Sequence, residues 1–176
     1  ISNFKNAKIT LPKEVKRIVR PYQEAGIKWL SVLHKYRLGG ILADDMGLGK
    51  TLETISFLSG IEEEKPCLIV APKSVIYNWQ SEFVKWSPDS KVQVIDGNKD
   101  ERVRTISSIK NDKKAFYITS YDSLRNDFMS YKNTFFEVII TDEAQYIKNP
   151  QSQDAQAARA ITCTHRLALT GTPLEN

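Results

Sequence analysis

Gly47, Gly49, Lys50 and Thr51 stand together in the stretch Asp44-Asp45-Met46-Gly47-Leu48-Gly49-Lys50-Thr51. A loop of this kind, opening a helix, suits a triphosphate. Glycine lets the backbone take positive φ and approach a phosphate closely. Lys50 would reach the β- and γ-phosphates, and the Thr51 hydroxyl would bind Mg²⁺. Far along the chain, Asp142-Glu143 offers adjacent carboxylates. Mg²⁺ prefers oxygen ligands and keeps several waters, so Asp142 would hold it through water. Glu143, one residue on, points elsewhere and could take a proton from an attacking water as a general base. Each site has a plainer reading. The phosphate-loop pattern G-x-x-x-x-G-K-[ST] asks for glycine where this chain has Asp44, and Gly-Lys-Thr can simply open a helix. Asp-Glu alone is usually a pair of solvated carboxylates. The two together, in this order and on these elements, favour catalysis.

The elements that must carry them follow from the hydrophobic pattern. Gly40-Ile41-Leu42-Ala43 is a short apolar run ahead of the loop, and residues 52–58 read as the helix behind it. The runs 67–71, 92–95, 115–119, 136–141 and 166–170 read as strands, several apolar throughout as buried parallel strands are. Pro21 suits a first helical position, and Tyr22, Gly26, Trp29, Leu33 and Tyr36 follow at helical spacing. Ile76, Trp79, Phe83 and Trp86 mark a second helical face, and residues 99–111 a charged helix. Ser120 would cap a helix carrying Tyr121, Leu124, Phe128 and Tyr131, and Asn149-Pro150 would start the last one. Trp29, Trp79 and Trp86 read as core, because each falls on an apolar helical face. Strands alternating with helices predict a mostly parallel sheet covered on both faces. Ligands of such sheets bind at the carboxyl ends of the strands, where both sites lie.

Bulk properties agree with an ordinary folded domain. The chain has 176 residues, 41% hydrophobic and 26% charged, near globular averages. No apolar run reaches membrane-spanning length and no signal peptide opens the chain. The first residue is Ile1, which suits a piece of a longer polypeptide. Cys67 and Cys163 read as reduced, buried thiols of an intracellular protein, in cytoplasm, nucleoid or a eukaryotic nucleus. The net charge is +4, yet residues 1–40 carry nine Lys/Arg against two Glu. That basic opening could attract a phosphate backbone or be a solvated face.

The pattern as a whole resembles the Swi/Snf-type DNA translocases of helicase superfamily II. Asp45 to Thr51 is similar to their motif I, with Asp45 in place of glutamate and Asp44 as expected there. Arg20-Pro21-Tyr22-Gln23 with Gly26 and Trp29 resembles the family's opening motif. Residues 68–74 with Asn78-Trp79 and Glu82-Phe83 resemble motif Ia, and Ile118-Thr119-Ser120-Tyr121 motif Ib. Asp142-Glu143-Ala144-Gln145 with residues 147–150 resembles motif II, and residues 169–176 motif III. Gln145 stands where many members have histidine and is similar to microbial members.

The resemblance implies a RecA-like three-layer α/β domain with a mostly parallel central sheet. Residues 20–176 would be the first lobe, behind a basic segment 1–19 and without the second lobe. It implies an ATP-binding lobe of an ATP-dependent double-stranded DNA translocase, with ATP and Mg²⁺ as cofactors and catalytic roles for Lys50 and Glu143. Nucleotide would be bound by Gln23, at the adenine edge, and by residues 44–51. Metal would be held by Thr51 and Asp142. Lys73, Ser74, Ser120 and Tyr121 would meet DNA phosphates, although ordinary helix capping explains such residues as well. Gln145, Thr170 and Thr172 would couple nucleotide state to DNA. Partners would be duplex DNA and the second lobe, with no membrane and no oligomer indicated. The rivals are a strand-separating or RNA-dependent helicase and a non-catalytic nucleotide-binding module. The chain by itself would hydrolyse ATP poorly, lacking the second lobe's arginine fingers.

Overall fold

Cys67–Ala71 is buried at every position. A strand with no polar face has to be covered on both sides, as at the centre of a parallel sheet. The computed structural model describes residues 8–43, 47–62 and 64–171. Its strands are β1 (Gly40–Ala43), β2 (Cys67–Ala71), β3 (Lys91–Ile95), β4 (Ala115–Ser120), β5 (Phe135–Thr141) and β6 (Thr162–Thr170). They form one sheet in the order β1-β6-β5-β2-β4-β3, every pairing parallel. The helices are α1 (Lys13–Lys16), α2 (Pro21–Lys35), α3 (Lys50–Gly60), α4 (Ile76–Trp86), α5 (Lys99–Ile109), α6 (Tyr121–Asn126) and α7 (Gln153–Ala160).

Alternation along β2 divides the core in two. Ile69 and Ala71 join Ile27, Leu30, Ile55, Phe57 and Trp79 from α2, α3 and α4 on one face. Leu68 and Val70 join Ile106, Ile109, Leu124 and Ala157 from α5, α6 and α7 on the other. The domain is therefore three-layered, helix over sheet over helix. Across the α5 side, Arg102 grips the buried Asp127 carboxylate with Nε at 2.5 Å and Nη2 at 3.1 Å. A bidentate contact of this kind is the strong form of the ion pair.

Several elements depart from their sequence pattern. In α2 the buried positions are Gln23, Ile27, Leu30, Val32 and Leu33, while Tyr22 and Tyr36 are exposed. The expected face ran into the helix ends, with Tyr22 in the first turn and Tyr36 at the C-cap. The α6 helix ends at Asn126, and a 3₁₀ turn, Phe128–Tyr131, carries the rest of the expected apolar face. The break falls at Asp127, the partner of Arg102. The last helix starts at Gln153, not at Pro150, with the Ser152 hydroxyl accepting from the Ala155 N–H at 3.2 Å. β6 begins at Thr162, earlier than its apolar run, because its first residues pair with Phe135 and Phe136. Within the basic opening segment, residues 8–19 include a helical turn. α1 forms a single turn whose Val15 is buried.

Candidate functional site

The strand register brings the carboxyl ends together. Ala43 pairs with Thr170, Ala168 with Thr141, Val70 with Thr141 and Ala71 with Ser120. β6 lies between β1 and β5. The loop after β1 and the acidic pair after β5 therefore open on the same edge of the sheet. Lys50 lies near enough for its charge to favour ionisation of the Asp142 carboxyl.

Gly49 caps α3 at φ +97°, and Gly47 has φ +86°. Both conformations lie in the left-handed region that favours glycine. At Gly49 a Cβ would also fall 2.3 Å from Gln23 Nε2. The start of α2 grips this loop. Gln23 is buried and donates from Nε2 to the Leu48 carbonyl at 3.1 Å, while its Oε1 accepts from the Arg20 N–H at 3.0 Å. The Tyr22 hydroxyl donates to the same Leu48 carbonyl at 3.2 Å. Lys50 and Thr51 open α3 directly behind the Gly49 cap, so the helix N-terminus faces the loop. That arrangement favours an anion. Asp44, Asp45 and Met46, expected in the same loop, lie outside the described residues.

Asp142 is held from several sides. Its Oδ2 accepts from the Trp79 indole at 2.8 Å, and its Oδ1 from the Glu143 N–H at 2.9 Å. Its carbonyl accepts from the Tyr121 hydroxyl at 2.7 Å. Burial pushes the Asp142 carboxyl above the usual range, and the Trp79 and Glu143 donors oppose that shift. Each carboxylate oxygen keeps a lone pair beyond its internal donor, so the group can still meet a hydrated cation. Among the described residues no three His, Cys, Asp or Glu side chains gather closely enough to cage a metal. This donor set suits Mg²⁺, which usually binds through one or two carboxylates, waters and substrate phosphates.

Glu143 adopts φ +51° and ψ +57°. Its Oε2 accepts from Gln145 Nε2 at 2.6 Å, and Gln145 Oε1 accepts from the Thr170 hydroxyl at 3.3 Å. A continuous polar relay thus runs from the end of β5 to the end of β6. Thr172, the next expected member, lies outside the described residues.

The expected DNA-facing residues divide. Lys73 and Ser74 are exposed at the end of β2. Lys73 pairs with Asp96, which also accepts from the Tyr77 hydroxyl at 2.8 Å. These partners hold the Asp96 carboxyl below its usual range, the Lys73 contact most of all. Ser120 and Tyr121 are buried. Ser120 caps α6, accepting from the Ser123 N–H at 3.1 Å, and Tyr121 stacks on Tyr146 with centroids 5.6 Å apart. Their side chains turn inward, which leaves backbone groups as their means of reaching a phosphate. The basic turn α1 is far from this edge. Lys13 and Lys16 line a depression with Ser59, Ser87 and Asp89, at the C-terminal ends of α3 and α4.

Sequence reasoning missed three contributors. Tyr22, read only by its helical spacing and its motif, clamps the loop through its hydroxyl. Trp79 is core as expected, yet its ring nitrogen serves Asp142. The left-handed turn at Glu143 has no sequence signal, since glutamate gives no hint of positive φ.

The family described as SNF2-related domain matches residues 22–176. The chain is 44% identical over 163 residues to the ISWI chromatin-remodeling complex ATPase ISW2 of Saccharomyces cerevisiae, covering 90% of this chain and 15% of the relative. It is 41% identical over 174 residues to Helicase swr1 of Schizosaccharomyces pombe, covering 96% and 14%. The Sulfolobus solfataricus SWI2/SNF2 ATPase core in complex with dsDNA superposes with a TM-score of 0.84 at 37% identity, covering 96% of this chain and 35% of that one. The chain thus spans about a seventh of these curated relatives and about a third of the solved core.

Proposed function

This chain belongs to the SNF2-related domain family, and from that premise we propose that it is the nucleotide-binding first lobe of an ATP-dependent translocase on double-stranded DNA. The observation that carries the reading is the register of β1, β6 and β5, whose carboxyl ends lie level, so that the loop leading to Lys50 and the acid Asp142 leave the sheet at one edge.

The roles follow from the geometry. Backbone N–H groups at Gly47–Gly49 and the start of α3 cradle the phosphates, and Asp44, Asp45 and Met46 belong to the same nucleotide-binding set. Lys50 neutralises charge on the β- and γ-phosphates. Thr51 and, through water, Asp142 would hold a Mg²⁺ ion, which would offset the charge of the β- and γ-phosphate oxygens. Glu143 orients the attacking water and accepts its proton as the oxygen bonds to the γ-phosphorus and the bond to the leaving β-phosphate oxygen breaks. Phosphoryl transfer of this kind is mostly positioning and charge stabilisation. Gln23 still has one N–H and one Oε1 lone pair beyond its two internal bonds, enough to pair with N6 and N7 of adenine. The relay Glu143–Gln145–Thr170, continued by Thr172, couples the γ-phosphate to a second lobe. Lys73 and Ser74 by side chain, and Ser120 and Tyr121 by backbone, position a DNA strand without reading its sequence. A protein working on duplex DNA would act inside the cell, in cytoplasm, nucleoid or a eukaryotic nucleus.

The test uses the full-length protein. ATP hydrolysis should rise with duplex DNA and far less with RNA. Stimulation by RNA alone would move the chain to an RNA-dependent helicase. Lys50→Ala should abolish ATP binding. Equal binding by variant and wild type would show that this loop is not the site.

A further inference from the structure

We propose that Trp79 is a positioning residue for Asp142: its buried indole N–H fixes the plane of the carboxylate and ties it to helix α4. The proposal rests on the reading of Asp142 as the acid that holds the metal.

Trp79 is 1% exposed. An indole N–H only donates, so once buried it must meet an acceptor. A backbone carbonyl would serve a purely structural tryptophan. Here the acceptor is a carboxylate oxygen 63 residues away in sequence, at 2.8 Å. Drawing a carboxylate against an apolar helix face is unfavourable by itself, so the pairing needs a use. Its use is orientation. One oxygen faces Trp79 and the other the Glu143 N–H at 2.9 Å, so rotation of the carboxylate breaks at least one bond. The indole is itself held by Phe83, with centroids 6.5 Å apart, and Phe83 stacks on Phe116 at 5.0 Å. From α6, the Tyr121 hydroxyl fixes the Asp142 carbonyl at 2.7 Å. The side chain and the backbone of Asp142 are thus anchored to two helices that open at the proposed DNA edge. Movement of α4 would carry the carboxylate with it.

Trp79→Phe keeps an aromatic ring and removes the donor. Phe83→Leu disturbs the same cluster and leaves the donor in place. In the full-length protein, binding of a fluorescent ATP analogue is titrated across Mg²⁺ concentrations. Loss of a group that orients a metal ligand typically costs at least about tenfold in metal affinity. Trp79→Phe should therefore need about tenfold more Mg²⁺ for half-maximal binding, with metal-free nucleotide affinity unchanged. Phe83→Leu should shift the Mg²⁺ requirement little. An unshifted Trp79→Phe, or an equal shift in both variants, overturns the proposal. Asp142→Asn separates the two levels. If its Mg²⁺ requirement matches wild type, the metal reading fails and takes the proposal with it. If Asp142→Asn shifts and Trp79→Phe does not, only the role of Trp79 fails. Should Trp79→Phe not fold, Trp79 is replaced by 3-benzothienylalanine, which keeps the shape of the indole with sulfur in place of the N–H. A Mg²⁺ requirement equal to that of the wild type then overturns the proposal.

Discussion

At the scale of single residues, Glu143 combines a left-handed backbone with a carboxylate bonded to Gln145 at 2.6 Å. A non-glycine residue held there costs on the order of 1–2 kcal/mol. Strain of this size tends to persist where it aims a functional group. Glu143→Gln should keep nucleotide affinity and lower hydrolysis by about 10²–10⁴, the usual contribution of a general base. Single-turnover rates beside binding curves check this. His165 is a second, unrelated case. It is 2% exposed, and neither ring nitrogen has a partner among the described residues. His34 lies edge-on at 5.5 Å and itself meets Glu137 at 3.1 Å. Burial, and then the His34 charge, push the His165 imidazole from 6.5 down to about 4. Below the unfolded value the unfolded chain takes up a proton that the folded chain refuses. Stability is therefore complete above about pH 6.5 and falls as pH drops toward 4, by about 2 kcal/mol at pH 5. Urea unfolding at pH 7.5 and pH 5 should show this loss, and His165→Phe should remove that share of it.

At the scale of elements, the site depends on how α2 meets the loop ahead of α3. Tyr22 and Gln23 converge on one carbonyl, that of Leu48. An added Cβ at Gly49 would meet Gln23 Nε2 at 2.3 Å, so Gln23 would have to shift and loosen its bond to Leu48. Gly49→Ala should cost about 1–3 kcal/mol from the left-handed φ, with a further loss from the clash. Gln23→Ala alone loses its bonds to Leu48 and Arg20, so both single mutants and the double mutant in urea form a cycle whose coupling energy isolates the clash part. The same clamp explains the misread helix face. A tyrosine at helical spacing from Trp29 and Leu33 reads as core, and only the neighbouring loop shows that its hydroxyl has a task.

At the scale of the whole molecule, the register of β1, β6 and β5 turns two distant stretches into one site. The curated relatives are several times longer than this chain, which covers 15% of the first. If a second lobe supplies an arginine to the γ-phosphate, turnover by this chain alone should be lower than that of the full-length protein by about 10³–10⁵. Comparing the two under saturating ATP and duplex DNA tests it. Equal turnover would mean that the lobe carries its own complete charge stabilisation.

Legible in the sequence alone were the order of strands and helices along the chain, the Gly-Lys-Thr stretch that opens α3, the acidic pair after β5 and the family. Each is a local matter, written in apolar period, in glycine before lysine, or in an acid ending a buried run. What these residues touch is settled only by the folded chain. That Trp79 donates to Asp142, that Tyr22 and Gln23 grip Leu48, and that Ser120 and Tyr121 face inward depend on contacts between segments far apart in the chain. No periodicity encodes such contacts. They arise when the register of a parallel sheet brings its strand ends level, and the helices that follow must then share the space above one edge.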